Sequence, residues 1–502
     1  MIFTGSTYSI VSVVAVTAII IPAMVVVYRL FFSPFTAVPG PLWAKVSPFW
    51  LWIHDLRGTA AEEIDQLHRE YGSIVQIGPN EVSVSDVDIH NSVLFCQAPK
   101  FFKAPYYYVT FKTGPHNMFT AIDPHEHSFC RRLVSRAFSR KSVLEFEPAI
   151  HETVQAALSI IEQQTKAGAP VDIVKVFRSL ALDFITRFTY GGSVNALQVP
   201  GLNAPLLDAF DQFATSNFLF MMCPALRIPA ITILSLIPAK TFQAIPSMRK
   251  SVNAALDWHE KVAEEQKDSD DQFRPMLMSE IQAAEVQQQQ LSRDFLLAEG
   301  VGGVFAGTDT TSTMLYLTFR ALCMNKEIYE KLHEELKSAL PNQAVTPKLI
   351  DLEAMPYLTA CVKEGLRYAS PVRSRLPRVC PPSGWQYKGS FFPGGTIVSS
   401  SPRLMNYNER VFPNPRSFIP ERWISNDAAY LKKLEDVAAP FSKGSRSCIG
   451  RNLATAEIYI TMASVARRFK PVQVIDHDLK LKETFGVVAE SPVRILFEET
   501  KD

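Results

Sequence analysis

A ten-residue segment near the carboxyl end constrains this chain more than any other feature. Residues 441–450 read Phe-Ser-Lys-Gly-Ser-Arg-Ser-Cys-Ile-Gly. A thiolate at Cys448 is a strong axial ligand for iron, and Phe441 would shield that sulfur from water. Gly444 and Gly450 let the backbone approach a flat cofactor closely, and Arg446 can pair with an acidic group of the cofactor. The segment therefore predicts a loop that binds a metal and a flat cofactor.

The alternative for this segment is an ordinary loop cysteine before a helix that begins near Leu453. The five residues with an assigned role have the spacing F-x-x-G-x-R-x-C-x-G. This combination should arise by chance in far fewer than roughly one chain in a thousand, so we favour the metal site. The other six cysteines are scattered and form no C-x-x-C pair. We interpret them as reduced thiols, most of them buried, and not as a zinc or redox site.

The amino end contains a long stretch without charge. No charged side chain occurs from Met1 to Tyr28, and Ile10 to Val27 consists mostly of Ile, Val and Ala. As a helix, this stretch is long enough to cross the roughly 30 Å hydrocarbon layer of a membrane. Basic residues follow it and none precedes it, which predicts that the remainder of the chain faces the cytosol. A cleaved signal peptide is the alternative, and the missing basic start disfavours it.

The rest of the chain predicts one large domain that is mostly α with small β-sheets. Prolines between residues 34 and 48 indicate a stiff hinge. We therefore divide the chain into a membrane anchor (1–32), a proline-rich hinge (33–50) and a large domain (51–502). Lys and Arg (51) balance Asp and Glu (50), so no excess of positive charge is present to bind nucleic acid.

Three segments of this domain have distinctive patterns. Residues 74–84 alternate apolar and polar side chains around Gly-Pro-Asn, which predicts a β-hairpin. Residues 218–238 are strongly apolar but contain several prolines, and we interpret them as core helices or as an apolar surface that touches the bilayer. Residues 261–290 are polar and are interpreted as a solvated connection.

A long helix rich in glycine is predicted from the N-cap Ser292 to about Cys323. Glycines at 300, 302, 303 and 307 each cost up to about 1 kcal/mol relative to Ala in a helix interior. Their number suggests a large flat group packed against the backbone. Residues 306–311 then read Ala-Gly-Thr-Asp-Thr-Thr. From the residues alone, Thr310 could equally well bond back to the carbonyl of Ala306 and bend the helix.

Together these two segments resemble the cytochrome P-450 superfamily, the haem-thiolate monooxygenases. The cysteine segment matches the haem-binding signature at every position, and residues 306–311 match the oxygen-activation motif [AG]-G-x-[DE]-T-[TS]. The organisation upstream resembles microsomal, membrane-anchored members and looks fungal. The resemblance implies a cytochrome P-450 fold, haem b (iron protoporphyrin IX) as the cofactor, and Cys448 as the iron ligand.

The resemblance also assigns roles to individual residues. It implies that Thr310 steadies the bound oxygen and that Asp309 supplies protons to it, which is ordinary acid–base catalysis. Ala306 would contact the haem. The remaining haem contacts implied in the cysteine loop are Phe441, Gly444, Arg446 and Gly450.

Two further elements match the family in their order along the chain. Glu364 and Arg367 have E-x-x-R spacing, and residues 420–423 (Pro-Glu-Arg-Trp) resemble the P-E-R-F element. The resemblance implies that Glu364, Arg367 and Arg422 form a buried network that braces the haem loop. Trp423 replaces the usual Phe, a change that we expect to be harmless.

The resemblance implies three partners for the haem propionates. His127 and Arg131 match a W-x-x-x-R element, with His in place of Trp. The alternative for His127 is a histidine whose hydrogen bonds are satisfied on a helix surface. Arg378 occupies a place where relatives offer another propionate partner, and Arg373 and Arg375 compete with it for that role.

By analogy with the family's layout, we expect substrate contacts from four segments. They are the 100–120 loop with Phe101, Phe102, Tyr106 to Tyr108 and Phe111; Phe305 with Ala306; residues 372–378; and Phe485 to Val488. Their apolar character predicts a lipophilic substrate. The alternative is that these aromatic residues belong to the ordinary core.

The implied reaction inserts one oxygen atom of O2 into a lipophilic small molecule, by hydroxylation or epoxidation, in secondary-metabolite biosynthesis. Electrons would come from NADPH-cytochrome P-450 reductase, with cytochrome b5 as a second candidate donor. The expected location is the endoplasmic reticulum membrane, with one span and with the haem-thiolate catalytic domain (51–502) facing the cytosol. Two alternatives stay open: an isomerase or dehydratase that consumes no O2, and a haem-binding protein without turnover. The presence of both Asp309 and Thr310 favours the monooxygenase.

Overall fold

The computed structural model describes residues 4–91, 101–222, 240–265, 277–281, 291–343, 345–483 and 485–500. Its side chains are described from residue 16 onwards, except at 214–222, 240–245, 263 and 265. The chain forms two compact units. The smaller contains residues 1–104 and 375–400, and the larger contains residues 105–374 and 401–502. Residues 223–239 and most of 266–290, whose roles were predicted above, lie outside the described residues.

Helices account for most of the regular structure. They are α1 (Thr4–Phe31), α2 (Leu42–Val46), α3 (Phe49–Arg57), α4 (Ala60–Tyr71), α5 (Pro105–Tyr108), α6 (Pro124–Ser135), α7 (Arg140–Lys166), α8 (Ile173–Tyr190), α9 (Pro205–Met222), α10 (Lys240–Glu265), α11 (Arg293–Cys323), α12 (Lys326–Ala339), α13 (Leu349–Glu353), α14 (Pro356–Ala369), α15 (Pro402–Asn406), α16 (Ala428–Val437) and α17 (Arg451–Arg468). The prediction of a mostly helical chain with small sheets is confirmed.

The strands are short. They are β1 (Ile74–Gly78), β2 (Glu81–Val84), β3 (Phe102–Lys103), β4 (Val171–Asp172), β5 (Arg378–Val379), β6 (Trp385–Tyr387), β7 (Ser390–Phe392), β8 (Ile397–Ser399), β9 (Phe469–Val474), β10 (Leu481–Glu483), β11 (Val487–Ala489) and β12 (Arg494–Glu499).

The smaller unit contains α1–α4 and a five-stranded sheet of order β1-β2-β8-β5-β3, with a separate hairpin of β6 and β7. The predicted hairpin over 74–84 is present: β1 and β2 pair antiparallel from Ile74↔Val84 to Gly78↔Glu81. Every residue of β2 is buried. Strand β8 returns to pair with β2 in parallel, which places residues far apart in sequence on neighbouring strands.

The larger unit is built around α11. This helix packs on α8, α10, α14 and α17, and most of its side chains are buried. Its start is as predicted, because the Ser292 hydroxyl accepts a hydrogen bond from the backbone N–H of Phe295. Asp123 and Asp172 cap α6 and α8 in the same manner. A three-stranded sheet (β4-β12-β9) and the hairpin of β10 and β11 complete the unit.

Among the described residues, no helix combines the length and the apolar character that a membrane span requires.

Candidate active site

The cysteine loop is a tight turn that leads directly into α17. Residues 444–446 form one turn of 3-10 helix, and the backbone N–H of Cys448 donates to the carbonyl of Phe441 at 2.8 Å. Gly444 has a φ of +73°, a left-handed conformation that favours glycine. Of the five cysteines within the described ranges, Cys448 alone has an exposed side chain. Its sulfur is therefore accessible to a ligand.

Positive charge lies close to this sulfur. Arg131 on α6 donates through Nη1 to the carbonyl of Ser447 at 2.8 Å. Desolvation by the surrounding loop raises the pKa of the Cys448 thiol, while the Gly450 N–H and the charges of Arg131 and Arg451 act in the opposite direction. A bound metal cation deprotonates a coordinating thiol outright. The loop thus has the charge distribution that a thiolate ligand needs.

Arg446 is held by backbone carbonyls. Its guanidinium donates to the carbonyls of Ala121 at 2.6 Å and Ile122 at 2.9 Å, both in the loop that precedes α6. His127 is buried on α6. The assignment of Arg446 and His127 to the cofactor stays a prediction.

The loop that holds Arg446 also contacts α11. The Asn117 side-chain amide donates to the carbonyl of Ala298 at 2.9 Å, and the Met118 N–H donates to Glu299 Oε1 at 2.8 Å. Burial raises the pKa of Glu299 to about 7. Residues 117–122 therefore join the oxygen-motif helix to the cysteine loop. This connection was not predicted, because no local sequence pattern marks Asn117 or Glu299.

The middle of α11 has an uncovered face. Ala306 is exposed, and Gly303 and Thr310 are only partly buried, although residues 311–319 are buried without exception. These three positions share one face of the helix because they are three and four residues apart. This face therefore offers an accessible surface to a flat group.

The predicted reason for the glycines of α11 is wrong for most of them. A Cβ atom at Gly302 would lie 2.5 Å from the amide nitrogen of Asn117, and one at Gly307 would lie 2.6 Å from Ile185 on α8. A Cβ atom at Gly300 would likewise clash with the side chain of Tyr190 on α8. These three glycines serve the close packing of protein against the helix. Of the four, only Gly303 could accept a Cβ atom without a clash, because its nearest neighbour among the described atoms would lie 3.9 Å away, at ordinary van der Waals contact.

Thr310 bonds back to its own helix, as the sequence alone allowed. Its hydroxyl donates to the carbonyl of Ala306 at 2.7 Å. The oxygen atom keeps lone pairs that can accept a further hydrogen bond. The back-bond therefore orients the hydroxyl without using its acceptor capacity.

Asp309 belongs to a partly buried charge cluster that was not predicted from the sequence. Its carboxylate accepts a hydrogen bond from Arg178 on α8 at 3.0 Å, and the same guanidinium binds both oxygens of Asp211 on α9 at 2.8 and 3.0 Å. Burial raises the pKa of Asp309, and the Arg178 charge opposes that rise. One arginine thus holds two carboxylates from different helices.

The predicted network around Glu364 is confirmed. Glu364 and Arg367 are fully buried and form a double hydrogen bond at 2.7 and 2.9 Å, and Arg422 donates to the same carboxylate at 3.2 Å. Trp423 is more than a harmless replacement, because its indole N–H donates to Glu364 Oε2 at 2.9 Å. Phenylalanine has no such donor.

The three candidate propionate arginines of the 373–378 segment have different partners. Arg373, in the larger unit, pairs with Glu483 at 2.6 Å. Arg375, in the smaller unit, pairs with Asp55 at 2.7 Å and also with a second carboxylate. Arg378, in the smaller unit, donates to backbone carbonyls of its own segment. Arg373 and Arg375, the two alternatives to Arg378 as propionate partner, are therefore each already paired with a carboxylate.

Aromatic rings from distant segments of the larger unit meet in one cluster. Phe111 lies 5.0 Å from Phe485 and 5.5 Å from Phe119 between ring centres. Phe213 on α9 lies 6.4 Å from Phe111 and 5.6 Å from Phe305 on α11. We call these five residues the aromatic cluster. Three of them, Phe111, Phe305 and Phe485, were predicted substrate contacts, and they are brought together.

Comparisons with known proteins show the family to which the chain belongs. The sequence pattern of the family Cytochrome P450 matches residues 38–497. Cytochrome P450 monooxygenase macH of Penicillium terrestre is 31% identical over 458 residues, which cover 88% of each chain. Cytochrome P450 monooxygenase tpcC of Cochliobolus heterostrophus is 29% identical over 502 residues, covering 95% of this chain and 93% of that protein. Cytochrome P450 monooxygenase TRI4 of Trichoderma arundinaceum is 31% identical over 467 residues, covering 91% and 87%.

The chain belongs to the cytochrome P450 family and is a monooxygenase of that family. Its cofactor is haem b, which the proteins of this family bind through a cysteine thiolate. Such enzymes act on small molecules with O2 and a redox partner.

Proposed function

We propose that this protein inserts one oxygen atom of O2 into a C–H or C=C bond of a lipophilic small molecule in a secondary-metabolite pathway, with Cys448 as the iron ligand. The observation that carries the proposal is the exposed Cys448 sulfur in a loop held by Arg131. The similar fungal enzymes support the class of reaction. An NADPH-dependent reductase is the proposed source of electrons, with cytochrome b5 as a second candidate donor.

The residues present fit haem b. The Cys448 thiolate would hold the iron, and the uncovered face of α11 offers a flat group an exposed surface at Ala306. Arg131 and Arg446 would supply positive charge for the propionates. When bound, haem supplies the iron at which O2 is activated.

The surrounding residues would then bind the substrate, exclude water and direct protons. The aromatic cluster includes Phe305, which is one residue before Ala306, and it offers apolar surface to a lipophilic molecule. Asp309 and Thr310 would move protons from the charge cluster towards the reacting oxygen. Isotopically labelled O2 with a lipophilic panel tests the proposal: one labelled atom should enter the product for each NADPH consumed. Turnover without O2 consumption would favour the isomerase.

Thr310→Ala is expected to uncouple electron flow from product formation. The hydroxyl at the uncovered face would no longer direct protons, so product per NADPH should fall by roughly tenfold or more while peroxide rises. Thr308→Val is the matched control, because the Thr308 hydroxyl makes the same back-bond, at 2.7 Å to Val304, from a fully buried position. Tight coupling in the Thr310 variant would contradict the assigned role.

We further propose that residues 1–32 anchor the protein in the endoplasmic reticulum membrane as a single span, with the remaining residues in the cytosol. Support comes from the charge-free stretch that begins at Met1 and from the exposed apolar side chains of Ile19, Phe31 and Phe32. The apolar run starts at Ile10, and the side chains up to residue 15 lie outside the described part of the structure.

Deleting residues 1–32 should move most of the protein from the membrane pellet to the supernatant after a carbonate wash, because the apolar surface that partitions into lipid is removed. The full chain should stay in the pellet under the same wash. A truncated protein that pellets as completely as the full chain would refute this anchor.

A further inference from the structure

The hairpin of β10 and β11 carries one ring of the aromatic cluster. The two strands pair antiparallel from Leu481↔Ala489 to Glu483↔Val487, and Phe485 lies in the turn between them. Its ring centre lies 5.0 Å from that of Phe111 and 5.4 Å from that of Phe119. Any shift of this hairpin would therefore move one wall of the cluster.

Glu483, at the end of β10, is the counter-ion of two buried arginines. Its Oε1 accepts a hydrogen bond from Arg373 Nη1 at 2.6 Å and from Arg403 Nη1 at 2.9 Å. The exposed fractions of the three side chains are 11%, 9% and 2%, respectively. Because charges in such surroundings are poorly screened, both contacts are strong.

The two arginines belong to other segments of the larger unit and not to the hairpin. Arg373 also donates to the carbonyl of Ala369 at the end of α14, and Arg403 lies within α15. Both guanidinium groups lie over the ring of Tyr407, at 5.9 and 5.1 Å from its centre. Two like charges share this small volume, so the carboxylate of Glu483 is needed between them.

A second attachment lies on the opposite strand. The backbone N–H of Val487 donates to the carbonyl of Pro371 at 2.9 Å, and its carbonyl accepts from the hydroxyl of Thr313 on α11 at 2.8 Å. Thus each strand of the hairpin is tied to the framework within two residues of Phe485.

We propose that Glu483 is a specificity-determining positioning residue: by neutralising Arg373 and Arg403 it sets the place of Phe485 in the aromatic cluster and so the shape of the substrate site. This inference rests on the proposed function, because it takes the cluster to be the substrate site. Glu483 acts through Phe485 and does not itself touch the substrate.

The test uses two haem ligands of different size on the purified full-length holoenzyme. Imidazole is small, whereas clotrimazole carries three phenyl rings on its imidazole, and these rings would reach the cluster. Glu483→Gln should weaken clotrimazole binding by at least about tenfold and change imidazole binding by less than about twofold, both measured by spectral titration. Phe485→Ala should show the same selective loss. An equal change for both ligands, or none for clotrimazole, would overturn the proposal.

The double variant tests whether Glu483 acts through Phe485. Changes at coupled residues are not additive, so Glu483→Gln combined with Phe485→Ala should bind clotrimazole no more weakly than Phe485→Ala alone. A fully additive loss would show that the two residues act independently. Asp476→Asn is the control, because it removes an ion pair with Arg494 elsewhere in the same unit. It should change the binding of neither imidazole nor clotrimazole.

Thr313→Val gives a second route if Glu483→Gln yields no holoenzyme. It removes the attachment at Val487 and leaves the arginine pair intact, and it should weaken clotrimazole selectively by about threefold or more. Unchanged clotrimazole binding in that variant would overturn the proposal. Failure of the proposed function is distinguishable, because it would appear in the wild-type protein as product without labelled oxygen, a result that does not depend on Glu483.

Discussion

Replacing Cys448 by serine is expected to abolish the red-shifted absorption band of the reduced CO complex. That band requires a thiolate ligand, and an alcohol oxygen does not donate electron density to iron as sulfur does. The measurement is the CO difference spectrum of purified protein, normalised to haem content. Monooxygenase turnover should be lost with the band.

The matched control is Cys380→Ser. Cys380 is buried, and its thiol lies 3.8 Å from the carbonyl of Phe392 in the smaller unit. This variant should keep the full band. An unchanged band in Cys448→Ser would show that another group holds the iron, and the proposed site would then be wrong.

Glu364→Gln is expected to cause a large loss of stability. Glu364 is the carboxylate that Arg367, Arg422 and Trp423 share, and both it and Arg367 are inaccessible to solvent. A neutral amide leaves buried positive charge uncompensated. The free energy of unfolding should therefore fall by about 3–5 kcal/mol, measured by urea denaturation, with a matching fall in the yield of haem-loaded protein.

Trp423→Phe serves as the graded control. It removes one donor to Glu364 but leaves both arginines paired, so its cost should be about 1.5–3 kcal/mol, the range for a hydrogen bond to a charged group. A Glu364 variant that is no less stable than the Trp423 variant would contradict the central place of the carboxylate in this network.

The elements that were predicted correctly depend on residues close together in the chain. The start of α11 at Ser292 follows from a side-chain cap on its own helix, and the β1–β2 hairpin follows from alternation around a turn. Family membership followed from the cysteine segment and the Ala306 to Thr311 motif, whose spacings are local. The Glu364 network was predicted because three short motifs occur in a distinctive order.

The elements that were missed depend on which distant segments pack together. The pairing of Arg178 with Asp309 and Asp211 joins three helices, and the contact of Asn117 with α11 spans 181 residues of sequence. The glycines of α11 were assigned to a flat cofactor, whereas three of the four accommodate protein side chains. A glycine in the sequence does not show whether a cofactor or a protein side chain occupies the space beside it.

By itself, the sequence determined the class of the protein, because the types of residue around a reactive cysteine and within an acid–threonine motif are dictated by chemistry that acts over a few positions. Only the tertiary structure decided which group each arginine of the 373–378 segment contacts. The sequence offers Arg373, Arg375 and Arg378 as three candidates for one role, whereas the fold brings a carboxylate to Arg373 and to Arg375, and Arg378 donates to backbone carbonyls. Coulomb energy depends on distance in space and on burial, and neither quantity is present in the order of residues along a chain.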